Sequence, residues 1–576
     1  MDSVIFLILR QMRAPLLVLS TVYTIATLGL TLIPGMDDQG QVWYMDFFHA
    51  FYFVAFMGTT IGFGEIPYAF TDAQRMWVLV FIYITVATWI YTIGALLRLL
   101  QNETLKKALT QSQFRRQVRR IREPFFVVCG YGDTGSQLVG SLRKRLSSAT
   151  VLDTDPGAID SLMLADHPLF IPGLCADASD PANLILAGIT HPMCKSVVAL
   201  TNDNAVNLHI AITAKVLNPG IQVICRAESH AIEVNMASFG TDFIIDPFDT
   251  FAKDLAMAFY SPYQFMLNEW FRSETGETLT DVVTLPTGRW ILCGYGRFGQ
   301  AVHREFIDQG LKIQVIEPDK ASAGLPITAI IGYGTEAVTL NQAGVADSVG
   351  IVAGANDDSN NLSIIVTALA LNPDLFVVAR RNLHTNQPLF AHAGSQLMME
   401  SSEVLANKVR TLLTNPLVDD FLSLSKAHDD AWASDLSEKI RKISPRVMPE
   451  VWEIVINTPN ALAVATAVGL GTAVTIDQLT HDHRERDVSL AVLALLHASS
   501  LGTFCMPSGH TQLALGDRLL FIGTGAARSQ MQWNLQNETA LTYLLTGENL
   551  PQTSVGRWWQ ARTANPKGSP DPDHSL

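Results

Sequence analysis

The chain has 576 residues, too many for one ordinary core and enough for roughly three or four domains at about 150 residues each. Its 54 acidic against 40 basic residues give a net charge of −14, which argues against a general nucleic-acid binder. Only 16% of residues are charged, mean hydropathy is +0.21, and the apolar excess is concentrated at the N-terminal end.

Ala14 to Ile33 contains no charged residue, and neither does Met76 to Leu97. At about 1.5 Å rise per residue, each is long enough to cross a hydrocarbon core of roughly 30 Å. The first is longer than the apolar region of a secretory signal and lacks a small-residue cleavage site. Arg10 and Arg13 precede the first span, and Arg98, Lys106, Lys107, Arg115, Arg116, Arg119, Arg120 and Arg122 follow the second. Pro34 to Gln74, between them, holds Asp37, Asp38, Asp46, Glu65 and Asp72 and no Lys or Arg. The positive-inside rule then puts both chain ends in the cytoplasm of a multi-pass inner-membrane protein, with the connecting segment outside. Within that segment Phe47 to Met57 is apolar and aromatic but too short to cross, so it reads as re-entrant.

Thr60-Ile61-Gly62-Phe63-Gly64 follows immediately. A desolvated K⁺ needs its water replaced by several oxygens, which backbone carbonyls lining a narrow pore can supply. Glycines at alternate positions permit a backbone that aims successive carbonyls inward. The segment resembles the TVGYG filter of potassium channels, with Ile for Val and Phe for Tyr. By that resemblance Thr60 supplies hydroxyl and carbonyl at the inner end, Phe63 forgoes the hydrogen bond of the usual tyrosine, and Glu65 raises the cation concentration at the mouth. Further along, the second span has no glycine before Gly94, so bending is expected there, with Leu97 and Leu100 as a hydrophobic constriction.

From about Glu123 short β-branched runs alternate with helical patterns, the signature of βαβ units. The pattern repeats. Phe126-Val127-Val128-Cys129-Gly130-Tyr131-Gly132-Asp133-Thr134-Gly135 recurs as Trp290-Ile291-Leu292-Cys293-Gly294-Tyr295-Gly296-Arg297-Phe298-Gly299. An acid stands at the same distance beyond the first glycine in both copies, Asp153 in one and Glu317 in the other. Asn202-Asp203 with Asn207 answers Asn356-Asp357 with Asn361, and Arg226 answers Arg380. This is a tandem duplication. In each copy the G-x-G-x-x-G loop follows a strand and opens a helix, where backbone N–H groups and the helix dipole receive a phosphate and the acid accepts ribose hydroxyls. Asp155 and Asp177 join the nucleotide-binding set of the first copy. Charge separates the copies: Asp133 would repel a pyrophosphate or face a cation, whereas Arg297 would attract the pyrophosphate, and the sequence leaves open which copy is occupied. Six scattered cysteines without a CxxC pair support neither a disulfide framework nor a cysteine zinc site.

The order of two spans around a pore loop, then paired Rossmann-like repeats, resembles potassium channels regulated by RCK (TrkA-N-like) domains, over about residues 15–525. Within that family it is similar to the bacterial tandem-RCK type gated by several ligands. The resemblance implies an α-helical membrane pore domain (1–122, two spans plus a re-entrant pore helix). Two α/β Rossmann-like RCK domains (123–285 and 286–444), a small α+β C-terminal lobe (445–526) and a C-terminal segment (527–576) with a disordered end from Pro566 follow. It implies a homotetramer in a lipid bilayer, with an eight-domain gating ring that senses NAD, ADP or ATP and passes K⁺. Calcium enters as a further regulatory ligand: Asp203 and Glu228 occupy two positions of a carboxylate trio used by calcium-gated members, with Arg226 at the third. A membrane-bound NAD-dependent oxidoreductase and a regulatory subunit of a K⁺ transporter are the alternatives. The chain shows no separate substrate domain and no His or Lys in a catalytic setting, so no enzyme is expected, and the filter between two spans disfavours the subunit.

Overall fold

The computed structural model describes residues 2–165, 169–228 and 230–548; the end expected to be disordered lies outside them. Three helices build the N-terminal region: α1 (Asp2–Leu32), α2 (Phe47–Gly58) and α3 (Asp72–Leu100). Only 22% and 17% of the apolar windows of α1 and α3 are buried by the chain, so neither is the core helix of a soluble domain. The apolar helix α2 starts at Asp46, whose carboxylate accepts the His49 N–H. It buries Phe53, Val54, Phe56 and Met57 against α1 and α3, together with Ala26, Leu30 and Phe70. A fourth helix, α4 (Glu103–Val118), joins this region to the rest.

Two six-stranded parallel sheets follow. The first contains β1 (Phe125–Cys129), β2 (Ser148–Asp153), β3 (Gly173–Cys175), β4 (Cys194–Ala199), β5 (Gln222–Arg226) and β6 (Phe243–Ile245), in the order β3-β2-β1-β4-β5-β6. The second repeats that order with β7 (Arg289–Cys293), β8 (Lys312–Glu317), β9 (Ile330–Ile331), β10 (Gly350–Ala353), β11 (Phe376–Arg381) and β12 (Leu397–Glu400). This is the doubly wound topology, in which ligands lie beyond the carboxyl ends of the strands where strand order reverses. The fully buried runs Phe125–Cys129 and Trp290–Cys293 explain why the strands read as continuous apolar segments.

The paired motifs of the duplication are structural stitches. Asn207 accepts the Thr201 N–H and donates to the Thr201 and Arg226 carbonyls; Asn361 does the same with Ala355 and Arg380. Each thus ties the end of one central strand to the end of its neighbour.

The helices that follow each sheet cross over to the other. In the first copy α5 (Asp133–Lys144) opens at the glycine loop, and α6 (Pro247–Tyr260) and α7 (Pro262–Arg272) follow β6. Helix α6 packs on α8 (Arg297–Asp308) of the second copy. After β12, α9 (Ser401–Thr414) packs back on α5. Phe248, Ala252 and Leu255 therefore share a core with Trp290, Phe298 and Phe306, and Leu405, Val409 and Leu412 share one with Leu138, Val139 and Leu142. The expected boundary near 285 separates sequence copies but not packing units. The C-terminal lobe is a four-stranded antiparallel sheet of Glu450–Val455, Val492–Ser499, Gly502–Cys505 and Arg518–Gly523. It extends past 526, since Ala527, Met531, Leu535 and Leu541 belong to its core.

Candidate functional site

The pore loop leaves α2 through Thr59 and Thr60. Thr60, Gly62 and Gly64 have φ of 62°, 68° and 100°, so left-handed backbone recurs at every second residue. In an ordinary extended strand successive carbonyls alternate sides; inverting every second residue turns them toward one side, as a file of cation ligands requires. The Phe63 ring stacks on Tyr52 (6.5 Å) and meets Phe56 edge-on (5.5 Å), so aromatic packing replaces the absent hydroxyl. Glu65 is engaged by two neighbours. Its carboxylate takes a bidentate pair from Arg75 (2.9 and 3.2 Å) and the Phe70 N–H (2.8 Å), and Arg75 holds its acid strength above that of an ordinary glutamate. The pair links the loop to the first turn of α3. Gly94 lies inside the unbroken α3, and Leu97 is exposed on the single chain.

The first Rossmann crevice holds about 720 Å³, within the range of cofactor sites. Gly130, Gly132, Asp133, Asp153, Asp155 and Asp177 all line it, so the structure gathers the expected first-copy residues except Gly135. The three glycines differ. Gly130 has φ 101°, and a Cβ on Gly135 would stand 2.1 Å from the Gly130 carbonyl oxygen; both are demanded by the fold. A Cβ on Gly132 would meet no protein atom within 4 Å, so the fold itself does not demand a glycine there. Asp153 accepts the N–H groups of Tyr131 (2.5 Å) and Asp155 (2.8 Å), which aims it at the crevice from the end of β2. Among the described lining residues Arg226 is the only Lys or Arg, facing Asp133, Asp153, Asp155, Asp177 and Asp203.

Known proteins resemble both parts of the chain. Residues 17–102 match the ion channel family, and residues 126–247 and 290–400 each match the TrkA-N domain. The chain thus has one region similar to the ion channel family followed by two regions similar to the TrkA-N domain. It is 22% identical to potassium channel protein 1 of Methanocaldococcus jannaschii over 38% of this chain and 63% of that one. An uncharacterized protein of Methanothermus fervidus is 25% identical over 42% of this chain and 37% of its own length. The chain thus spans less than two thirds of these curated relatives. Among solved structures, the GsuK channel bound to NAD aligns over 92% of this chain and 99% of its own, at 15% identity and TM-score 0.48. The GsuK channel alone aligns over 91% and 98%, at 16% identity and TM-score 0.49. With its two spans and its ion-channel match, this is a membrane protein.

The second TrkA-N domain has the same loop, with Gly294 at φ 98° and a Gly299 Cβ blocked 2.1 Å from the Gly294 oxygen. Glu317 accepts the Tyr295 N–H (2.6 Å) and that of Asp319 (3.1 Å) and is buried. Arg297, expected to draw a pyrophosphate, pairs instead with Glu228 of the first TrkA-N domain and lies over the Phe248 ring, 5.5 Å from its centroid. Glu228 is also paired with Arg226. The two carboxylates expected to hold calcium are thus already engaged: Glu228 is shared by two guanidiniums, and Asp203 caps the helix Asn204–Leu217 through Ala205 and Val206. Among the described residues the one grouping with metal-ligand spacing, His384, Glu400 and Glu403, lies elsewhere and is bridged by Arg381. Sequence reasoning missed the lining contributed by Asn382, Ser401 and Ser402 to the first crevice, since it arises only from the helix crossover.

Proposed function

We propose that the chain is a K⁺-selective channel of the cell inner membrane, opened or closed by a nucleotide bound to its cytoplasmic TrkA-N domains. The observation that carries the reading is the alternating left-handed backbone at Thr60, Gly62 and Gly64, set between two membrane-long helices and joined to a Rossmann crevice of about 720 Å³. A carbonyl file needs a ring of chains around a central axis, so the working unit is a homotetramer with eight TrkA-N domains forming a gating ring. Both chain ends are cytoplasmic, from the cations flanking the spans. Gly130, Gly132, Asp133 and Gly135 form the phosphate-facing turn, and Asp153, Asp155 and Asp177 face the sugar of an adenine nucleotide such as NAD, ADP or ATP. The nucleotide acts by binding the open and closed rings with different affinity and is not consumed. Leu97, on the exposed inner end of α3, forms the constriction, with Gly94 one turn above it.

The test is recording from purified protein in planar bilayers under a K⁺/Na⁺ gradient, with NAD and ADP added to the side bearing the ring. A reversal potential near that for K⁺, with open probability shifted by nucleotide and the shift lost in Gly132→Val, is expected. The absence of selective current under any condition would sink the channel reading. K⁺ current indifferent to nucleotide would leave the TrkA-N domains as scaffold.

A further inference from the structure

Arg297 is the one basic residue in either glycine-rich loop, and its guanidinium is paired with Glu228 of the other repeat. Beyond those loops the two copies keep one constant offset, as Asn202/Asn356, Asn207/Asn361 and Arg226/Arg380 show. At that offset Glu228 corresponds to Asn382, and Phe248 corresponds to Ser402. Asn382 and Ser402 line the first crevice, delivered there by the second domain. Their counterparts reach the second loop by the reciprocal crossover. Glu228 meets Arg297, and Phe248 lies beside both Phe298 (6.2 Å between rings) and the guanidiniums of Arg297 and Arg380 (5.5 and 5.0 Å). The duplication is therefore symmetric in backbone and asymmetric in chemistry. A small amide and a hydroxyl face the first loop, where a carboxylate and a phenyl ring face the second.

We infer that Glu228 is the resident anion of the second loop, standing where a nucleotide phosphate would otherwise engage Arg297, so that the chain takes one nucleotide and takes it in the first crevice. Three observations converge on this. The Glu228 side chain is 9% exposed and held from both sides by Arg226 and Arg297, so an incoming phosphate would have to displace a carboxylate already desolvated between two cations. The Phe248 ring is 3% exposed and fills the place that Ser402 leaves polar in the first copy. Glu317, the acid that would receive a ribose, is buried, whereas its counterpart Asp153, which holds the same pair of backbone N–H groups, is only partly buried. The inference rests on the reading that these Rossmann crevices bind nucleotide. It runs against loop charge alone, which places Asp133 in the first loop and Arg297 in the second.

The test is equilibrium dialysis of radiolabelled ADP and NAD against the full-length channel in nanodiscs, with stoichiometry as the readout. Wild type should bind one nucleotide per chain, with binding lost in Gly132→Val and unaffected by Gly296→Val. The double variant Glu228→Asn, Phe248→Ser, which gives the second loop the first loop's facing residues, should bind two. Two per chain in wild type, halved by Gly296→Val, would overturn the inference while leaving nucleotide sensing intact. No binding in wild type with one per chain in the double variant would support the plug and remove the first crevice from the proposed function. No binding in either would overturn both. Because the double variant alters a domain seam, photolabelling of wild type with 8-azido-ADP gives an answer that needs no variant. Label confined to peptides of the first crevice is expected, and label on peptides around Gly294–Gly299 would overturn the assignment.

Discussion

At the scale of single residues, charge in this protein is governed by partners that lie far away in sequence. Glu65 stands at the pore mouth, yet Arg75 and the Phe70 N–H consume its carboxylate. Glu65→Gln should therefore leave single-channel conductance at low K⁺ nearly unchanged while speeding loss of current during sustained opening, because the loop loses its tie to α3. A fall in conductance without faster rundown would restore the surface-charge role. The same pair fixes the sign of a pH effect. Glu65 is more acidic here than its ordinary value of 4.5, so the tether is intact above that value and is lost as outer pH falls through the lowered one. Rundown should accelerate only in that acidic window, and Glu65→Gln should abolish the acceleration. Asp133 presents the opposite case. It occupies the first position of α5, where it favours the helix dipole but opposes a phosphate in front of it. Asp133→Asn should tighten ADP binding by up to about tenfold, equivalent to about 1.4 kcal/mol, as measured by the same dialysis. Unchanged or weaker binding would mean that the carboxylate faces away from the phosphates or holds them through a cation.

At the scale of elements, the crossover of α6 and α9 makes one folding unit of two sequence repeats. The second sheet lacks a covering without Phe248, Ala252 and Leu255, and the first without Leu405, Val409 and Leu412. A fragment spanning 123–548 should melt cooperatively, whereas 286–548 should aggregate or show no thermal transition by circular dichroism; a monodisperse, cooperatively melting 286–548 would contradict the exchange. Leu405→Ala, a fully buried position, should cost about 2–5 kcal/mol and lower the stability of the 123–548 unit as a whole. This exchange also marks where sequence reading stops. The strands, the glycine loops, Asp153 and the pore helix were legible because each depends on local periodicity or on a turn that only glycine permits. Asp155 and Asp177 follow from the same local pattern. The engagement of Arg297 was not legible, because its partner Glu228 lies in the other repeat and reaches it only through packing. Glu228 itself looked like a cation ligand for the same reason. Of its two arginines, Arg226 is close in sequence, but Arg297 becomes a neighbour only when the domains dock.

At the scale of the whole molecule, the question is how a ligand in a Rossmann crevice could move a pore. The two spans and the first Rossmann domain meet through α4. Its start is fixed to the inner ends of the spans, since Leu105 is buried with Met12 and Leu99. Its end is fixed to the first TrkA-N domain, since Phe114 and Val118 are buried with Phe125, Leu184 and Ile189 in that domain's core. A helix anchored at both ends transmits displacement as a strut, whereas a loose linker would absorb it. The exposed cations Lys106, Lys107, Arg115 and Arg116 leave its remaining surface free of the protein core and suited to an anionic membrane surface. Phe114 is the decisive anchor, 1% exposed and large. Phe114→Ala removes an interaction of the class that costs about 3–5 kcal/mol in a packed core, and it does so at the joint rather than in the crevice or the filter. The variant should therefore bind ADP with unchanged stoichiometry and retain K⁺ selectivity, while the shift in open probability produced by nucleotide falls several-fold. Loss of binding together with loss of response would mean that the residue supports the domain and not the coupling. A full nucleotide response in a well-folded Phe114→Ala channel would show that force reaches the spans by another route, and α4 would then be a tether only.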